Sequence, residues 1–189
     1  MDGMPTSHLK SLVTGLLALL ISTYALAELR PEKMHVADAK KTEAYVKDGM
    51  FTGGDRAIDG VLVKDIRRAV NPGYERVVID LEGTLNGESS PISRAPYYQI
   101  AVSPEERRIV LTIWGKPRLG FNARKVIAAF KKSPVVRSVE LLPKLEEDSW
   151  TFVFETKGEA PIEVFELSKP ARIIMDIQTR KGTGSPLGT

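Results

Sequence analysis

Short runs rich in Val, Ile, Phe and Tyr recur through the middle of this chain at about ten-residue spacing, with turn residues between them. This cadence predicts strands at Val61–Arg68, Arg76–Glu82, Tyr97–Val102, Arg108–Trp114, Val135–Leu142, Trp150–Thr156, Ile162–Leu167 and Arg172–Gln178. Such spacing leaves no room for a helix after every strand, so it points to a sandwich or barrel and away from alternating βαβ units. One helix interrupts the strands. Asn122 is a suitable N-cap, and Ala123, Val126, Ile127 and Phe130 fall on one face at helical spacing. Lys131 and Lys132 suit the negative end of the helix dipole, and Ser133-Pro134 ends the helix. The predicted helix is therefore Ala123–Lys132, in an otherwise all-β domain spanning Ile58–Gln178.

The order of the strands repeats. Val63-Lys64-Asp65-Ile66-Arg67 is similar to Val136-Arg137-Ser138-Val139-Glu140, and Arg76–Gly83 (RVVIDLEG) to Thr151–Gly158 (TFVFETKG). Arg108–Ile113 (RIVLTI) is likewise similar to Arg172–Ile177 (RIIMDI). Amphipathic strands resemble one another by chance, but three segments in the same order favour a duplication. The expected fold is a β-sandwich of two pseudo-symmetric four-stranded halves, each half forming a sheet and burying its apolar face on the other.

The ends of the chain read differently. Leu12–Ile21 is an apolar stretch of signal-peptide length, too short to span a bilayer, and Ala25-Leu26-Ala27 supplies the small residues of a cleavage site before Glu28. Residues 1–27 are expected to be a signal peptide, with Met1 or Met4 as the start, and the mature chain to be exported without stable membrane insertion. Residues 28–57 are polar and lack a sustained period, which predicts a flexible linker containing the Gly53-Gly54-Asp55 turn. That turn lacks the strand, the later Gly and the Lys-Ser/Thr of a phosphate loop. Residues 179–189 are expected to be a disordered Gly/Ser/Thr/Pro tail.

The residue inventory restricts chemistry further. The chain has no Cys, and its two histidines, His8 and His35, fall in the expected signal and linker. No thiolate nucleophile, His-ligated zinc or His-based triad can therefore be assembled in the predicted domain, and neither a metal nor a cofactor is expected. Ser7-His8-Leu9-Lys10 has S-x-x-K spacing but lies in the expected signal peptide. Asp80 and Asp176 have the makings of a glycosidase carboxylate pair, yet each follows an Arg (Arg76, Arg172) four residues earlier on its own strand face. The repetition of that pattern predicts a structural Arg–Asp ladder and a non-enzyme. A net charge of +3 is too small to imply a nucleic-acid partner.

VVIDLEG in the first half and KPARIIMDIQ at the close, in a chain expected to be exported, resemble the AMIN domain family. In that family the last strand typically carries a Pro, an Arg and a hydrophobic-Asp-hydrophobic ending, matched here by Pro170, Arg172 and Ile174-Met175-Asp176-Ile177. The resemblance covers Ile58–Gln178. It implies a small periplasmic β-sandwich that holds its protein at peptidoglycan, as in the cell-wall amidases and pilus secretins of Gram-negative bacteria. Amidase chemistry needs zinc held by His and Glu, and the predicted domain contains no His, so the resemblance implies the targeting role without the hydrolytic one.

Two surfaces could serve such a role. Arg94, Tyr97 and Tyr98 lie before or at the start of the third predicted strand, and Trp114, Lys116 and Arg118 close the fourth. Aromatic faces stack on sugar rings and cations pair with the carboxylates of stem peptides. If these two strands form a hairpin, both clusters meet at its open end. Tyr and Trp are also ordinary strand residues, and some must face the core; Trp150, Phe152 and Phe154 share a face and are expected there. The alternative function is a protein-interaction module that recruits an envelope component, such as a secretin, pilus or division protein, by strand addition at a sheet edge.

Overall fold

The computed structural model describes residues 33–144 and 148–179. The expected signal peptide with its start codon, and residues 180–189 of the tail, lie outside the described residues.

The chain forms two sheets, sandwich-like, with a single short helix among the described residues. The strands are β1 (Met34–Val36), β2 (Gly49–Gly53), β3 (Val61–Asn71), β4 (Tyr74–Leu85), β5 (Glu88–Pro91), β6 (Tyr98–Ser103), β7 (Arg108–Trp114), β8 (Arg118–Leu119), β9 (Val136–Lys144), β10 (Ser149–Thr156), β11 (Ile162–Leu167) and β12 (Arg172–Gln178); α1 (Ala123–Phe130) lies between β8 and β9. One sheet has the order β1-β2-β6-β7-β10-β9, and the other β11-β12-β4-β3-β8 with β5 beside β4. Period-two alternation sets the core. Val77, Ile79 and Leu81 of β4, Ile173, Met175 and Ile177 of β12, and Ile109, Leu111 and Ile113 of β7 are all buried in one cluster with Phe152 and Phe154.

The eight predicted strands are all present, but the expectation that each half forms its own sheet is corrected. Each sheet takes one hairpin from each half: β6-β7 joins β10-β9, and β11-β12 joins β4-β3. The first pairing closes between Ile109 and Phe154, the second between Ile173 and Ile79. Those are equivalent positions in the two similar segments. Ile66–Ile79 and Val139–Phe154 correspond in the same way, as do Val102–Ile109 and Glu166–Ile173. Even the ladder irregularities match: Lys64 is bulged between Val63 and Asp65, and Arg137 between Val136 and Ser138.

The expected linker is also corrected, because from residue 33 onward it is part of the fold. β1 pairs in parallel with β2, and β2 pairs with β6. Between them the chain crosses to the other sheet, where Asp38 bridges Phe165 and Val46 bridges Ile162 along β11. Residues 33–53 thus close one side of the sandwich, and α1 closes the opposite side between β3 and β9. His35 is accordingly inside the fold, with its ring 5.2 Å from that of Phe51. The helix ends at Phe130, two residues earlier than expected, since Ser133 donates its amide to the Phe130 carbonyl and its hydroxyl takes up the amides of Val135 and Val136. None of the described helices is long and apolar enough to cross a membrane.

Candidate functional site

The β6–β7 hairpin pairs Ser103 with Arg108 at its turn and Tyr98 with Ile113 near its open end. There the Trp114 amide donates to the Tyr97 carbonyl at 3.0 Å, which brings the two expected clusters together. Tyr97 and Trp114 lie with ring centroids 5.2 Å apart and their planes tilted by 39°. Both rings are half-buried and line a cleft of about 650 Å³, whose polar rim is Arg56, Asp59, Gln99, Lys116 and Asp148.

Each wall has a local cause. Alternation along β6 sends Tyr98, Ile100 and Val102 inward and leaves Tyr97 and Gln99 outside, where the Gln99 amide donates to the Tyr97 hydroxyl at 2.8 Å. The Arg56 guanidinium lies over the Tyr97 ring, 4.4 Å from its centre. Arg56 is placed by the Asp55 turn: the Asp55 carbonyl accepts from the Tyr97 amide, and its carboxylate accepts from Ala57 N and Arg94 Nη1. The preceding Gly54 has φ +76°, and a Cβ there would meet the Pro96 carbonyl oxygen at 1.9 Å, so only glycine fits. Gly115 shapes the floor for the same reason, with φ +93° and the Ile58 carbonyl oxygen 2.6 Å from where its Cβ would stand.

One ion pair lies on the cleft's rim. Lys116 Nζ donates to Asp59 at 2.6 Å; this hydrogen bond holds the Asp59 carboxyl below its ordinary range and raises the Lys116 ammonium above its own. The Lys116 amide also donates to the Asp148 carbonyl, tying the β7–β8 turn to the start of β10.

The structure sorts the predicted site residues. Tyr97, Trp114 and Lys116 share the cleft. Tyr98 is fully buried, its hydroxyl donating to Glu166 at 3.1 Å, with burial pushing its ionisation upward; it belongs to the core. Arg94 is exposed and held by Asp55, outside the cleft. Arg118 is carried away on β8, which pairs with β3 of the other sheet. Arg56, Asp59, Gln99 and Asp148 went unread in the sequence. Gln99 had a signal, since strand alternation places it beside Tyr97's face, but the other three come from loops distant in the chain.

The expected Arg–Asp ladder exists in a different geometry. Arg67 holds Asp80 through Nε and Nη2 at 2.7 and 2.9 Å, and Arg76 holds Asp176 in the same two-pronged way. The pairs run across strands, because residues four apart on one strand are too distant to bond while cross-strand neighbours on one face meet. Phe152 and Phe154 are buried as expected, and Trp150 packs at the core's margin. No group of three or more His, Cys, Asp or Glu among the described residues is arranged to hold a metal ion. Compared with protein-family models and with curated proteins, the chain matches none.

Proposed function

We propose that this chain is a non-catalytic, exported module of the cell envelope that binds peptidoglycan through the Tyr97–Trp114 cleft. The observation that carries the reading is the pair of half-buried aromatic rings inside a polar rim of two carboxylates, an amide and two cations. Sugar rings offer C–H faces to aromatic rings and hydroxyls to such a rim, while a stem-peptide carboxylate suits Arg56 and Lys116. The AMIN-like features of the sequence support the same reading, with the periplasm as the compartment. We further propose that the two strand-and-hairpin halves arose by duplication and exchanged hairpins between the sheets. The matching registers and matching bulges at Lys64 and Arg137 support this.

Binding without cleavage is favoured by how the carboxylates are held. Asp80 and Asp176 are taken up by Arg67 and Arg76. Asp59 is held in its charged form by Lys116, opposite to what a general acid needs. The test is sedimentation of the purified chain with protein-free sacculi. It should pellet with them, be released progressively by salt, and liberate no soluble muropeptides. A chain that stays in the supernatant at low salt, or that releases muropeptides, would overturn the reading. Export is tested separately: N-terminal sequencing of the periplasmic protein should begin at Glu28, and a sequence beginning at Met1 or Met4 would contradict it.

A further inference from the structure

The sheet that contains β3 uses that strand's outer edge for only two residues. β8 lies parallel against Leu62 and Val63, and the Gly120 amide donates to the Val63 carbonyl at 2.9 Å. The chain then leaves the edge and enters α1. From Lys64 to Asn71, β3 has β4 on one side and, among the described residues, no strand on the other. A groove of about 1070 Å³ takes its place between β3 and α1. Its floor includes the apolar side chains of Ile66, Phe121 and Val126, and the exposed Ala128 and Ala129 are too small to fill it.

Natural edges are usually blunted, and the Lys64 bulge does so at one point. Beyond it, β3 pairs with β4 in unbroken register from Asp65 to Asn71, so its backbone is extended and regular. The groove's charge is one-sided. Asp65 is its only carboxylate among the described lining residues. Lys64, Arg67 and Arg68 are already paired with Glu82, Asp80 and Glu75, whereas Lys125 and Lys132 on the helix side have no ion-pair partner among the described residues.

We infer that this groove receives an extended acidic segment of a partner protein, which adds to β3 where β8 leaves off. Backbone hydrogen bonds to the edge would give affinity, alternate apolar side chains would fill the floor, and the carboxylates would face Lys125 and Lys132. A second copy of this edge is a poor occupant, because among the described lining residues it offers no unpaired carboxylate beyond Asp65 and would bring its own Lys125 and Lys132 to the same cations. The groove shares no lining residue with the aromatic cleft, so both can be occupied at once.

The probe is a fluorescein-labelled peptide of about ten residues alternating glutamate and valine, matched to ordinary strand length. Titration with the purified chain should give a saturable rise in anisotropy, and a peptide alternating lysine and valine should give none. At saturation, backbone amides between Lys64 and Asn71 should gain protection from hydrogen exchange. Lys125→Glu with Lys132→Glu should weaken binding about tenfold, through the loss and reversal of two exposed attractions, and the Gln pair should weaken it less. Both positions are exposed, and circular dichroism of the variants verifies folding. The inference is overturned if the acidic peptide does not bind the folded chain, or binds without protecting β3. It is equally overturned if oligothymidylate or phosphatidylglycerol vesicles compete as well as the unlabelled peptide, since the groove would then read charge alone.

Discussion

Arg76 stands directly opposite Asp176 across the β4–β12 pair and clasps its carboxylate through Nε and Nη2 at 2.7 and 2.8 Å. The two ends of this bond differ in environment. The Asp176 side chain is fully buried, with Glu163 as its β11 neighbour and Lys41 at 3.8 Å, whereas 30% of the Arg76 side chain is exposed. Removing the Arg76 cation therefore leaves a buried charge with only Lys41 at 3.8 Å, while removing the carboxylate leaves a guanidinium that reaches water. Arg76→Met should cost about 3 kcal/mol in urea unfolding, and Asp176→Asn clearly less. The double variant should recover part of the loss, and equal single costs with simple additivity would contradict this asymmetry.

The cleft floor depends on Gly115. Its φ of +93° and the Ile58 carbonyl beneath it leave no place for a methyl group. Gly115→Ala should destabilise the fold by roughly 1–3 kcal/mol and also weaken retention on sacculi, because the β7–β8 turn must shift. Gly73, with no atom within 4 Å of its Cβ position, provides the control. Gly73→Ala should cost stability through its φ alone and leave retention unchanged.

Helix α1 begins at Asn122, whose side chain accepts from the Lys125 amide at 3.2 Å, and its first turn carries no acidic residue. Lys125→Glu would place a carboxylate at the third helical position, able to reach back to the cap and face the positive end of the dipole. It should raise stability by about 0.5 kcal/mol while weakening acidic-peptide binding. These opposite signs in one variant separate a folding effect from a binding effect, and thermal unfolding with the peptide titration reads both.

Tyr45 sets an alkaline limit. Partial burial first, and then the charge of Asp176, push its hydroxyl up to about 12 from an ordinary 10. The folded chain keeps a proton that the unfolded chain releases across that interval. This contribution to stability is therefore whole below pH 10 and is lost as pH rises toward 12. Tyr45→Phe should flatten the fall in unfolding free energy over that window. Identical slopes in the two proteins would show that Tyr45 is not the group responsible.

How far the sequence disclosed this molecule follows from the range of each signal. Alternation is local, so runs such as Arg108–Trp114 announced both their strand and their buried face. Pairing is not local: nothing in RVVIDLEG says that Ile79 will lie between Ile66 and Ile173, and so the distribution of the hairpins between the two sheets was hidden. β1 and β2 were missed because Met34–Val36 and Gly49–Gly53 are too short for a period to emerge. Within the cleft, Tyr97 and Trp114 were legible as the two ends of one hairpin. Arg56 and Asp59 were not, since the turn that delivers them is fixed by Pro96 and Gly115 far along the chain.

The proposed glycan site is tested most directly by tryptophan fluorescence during titration with a soluble disaccharide-peptide released from peptidoglycan. The chain has two tryptophans, Trp114 in the cleft and Trp150 at the core's margin. Saturable change should persist in Trp150→Phe and vanish in Trp114→Phe, and Trp114→Ala should bind about tenfold more weakly in calorimetry. A signal that follows Trp150, or undiminished binding by Trp114→Ala, would contradict the assignment of the cleft.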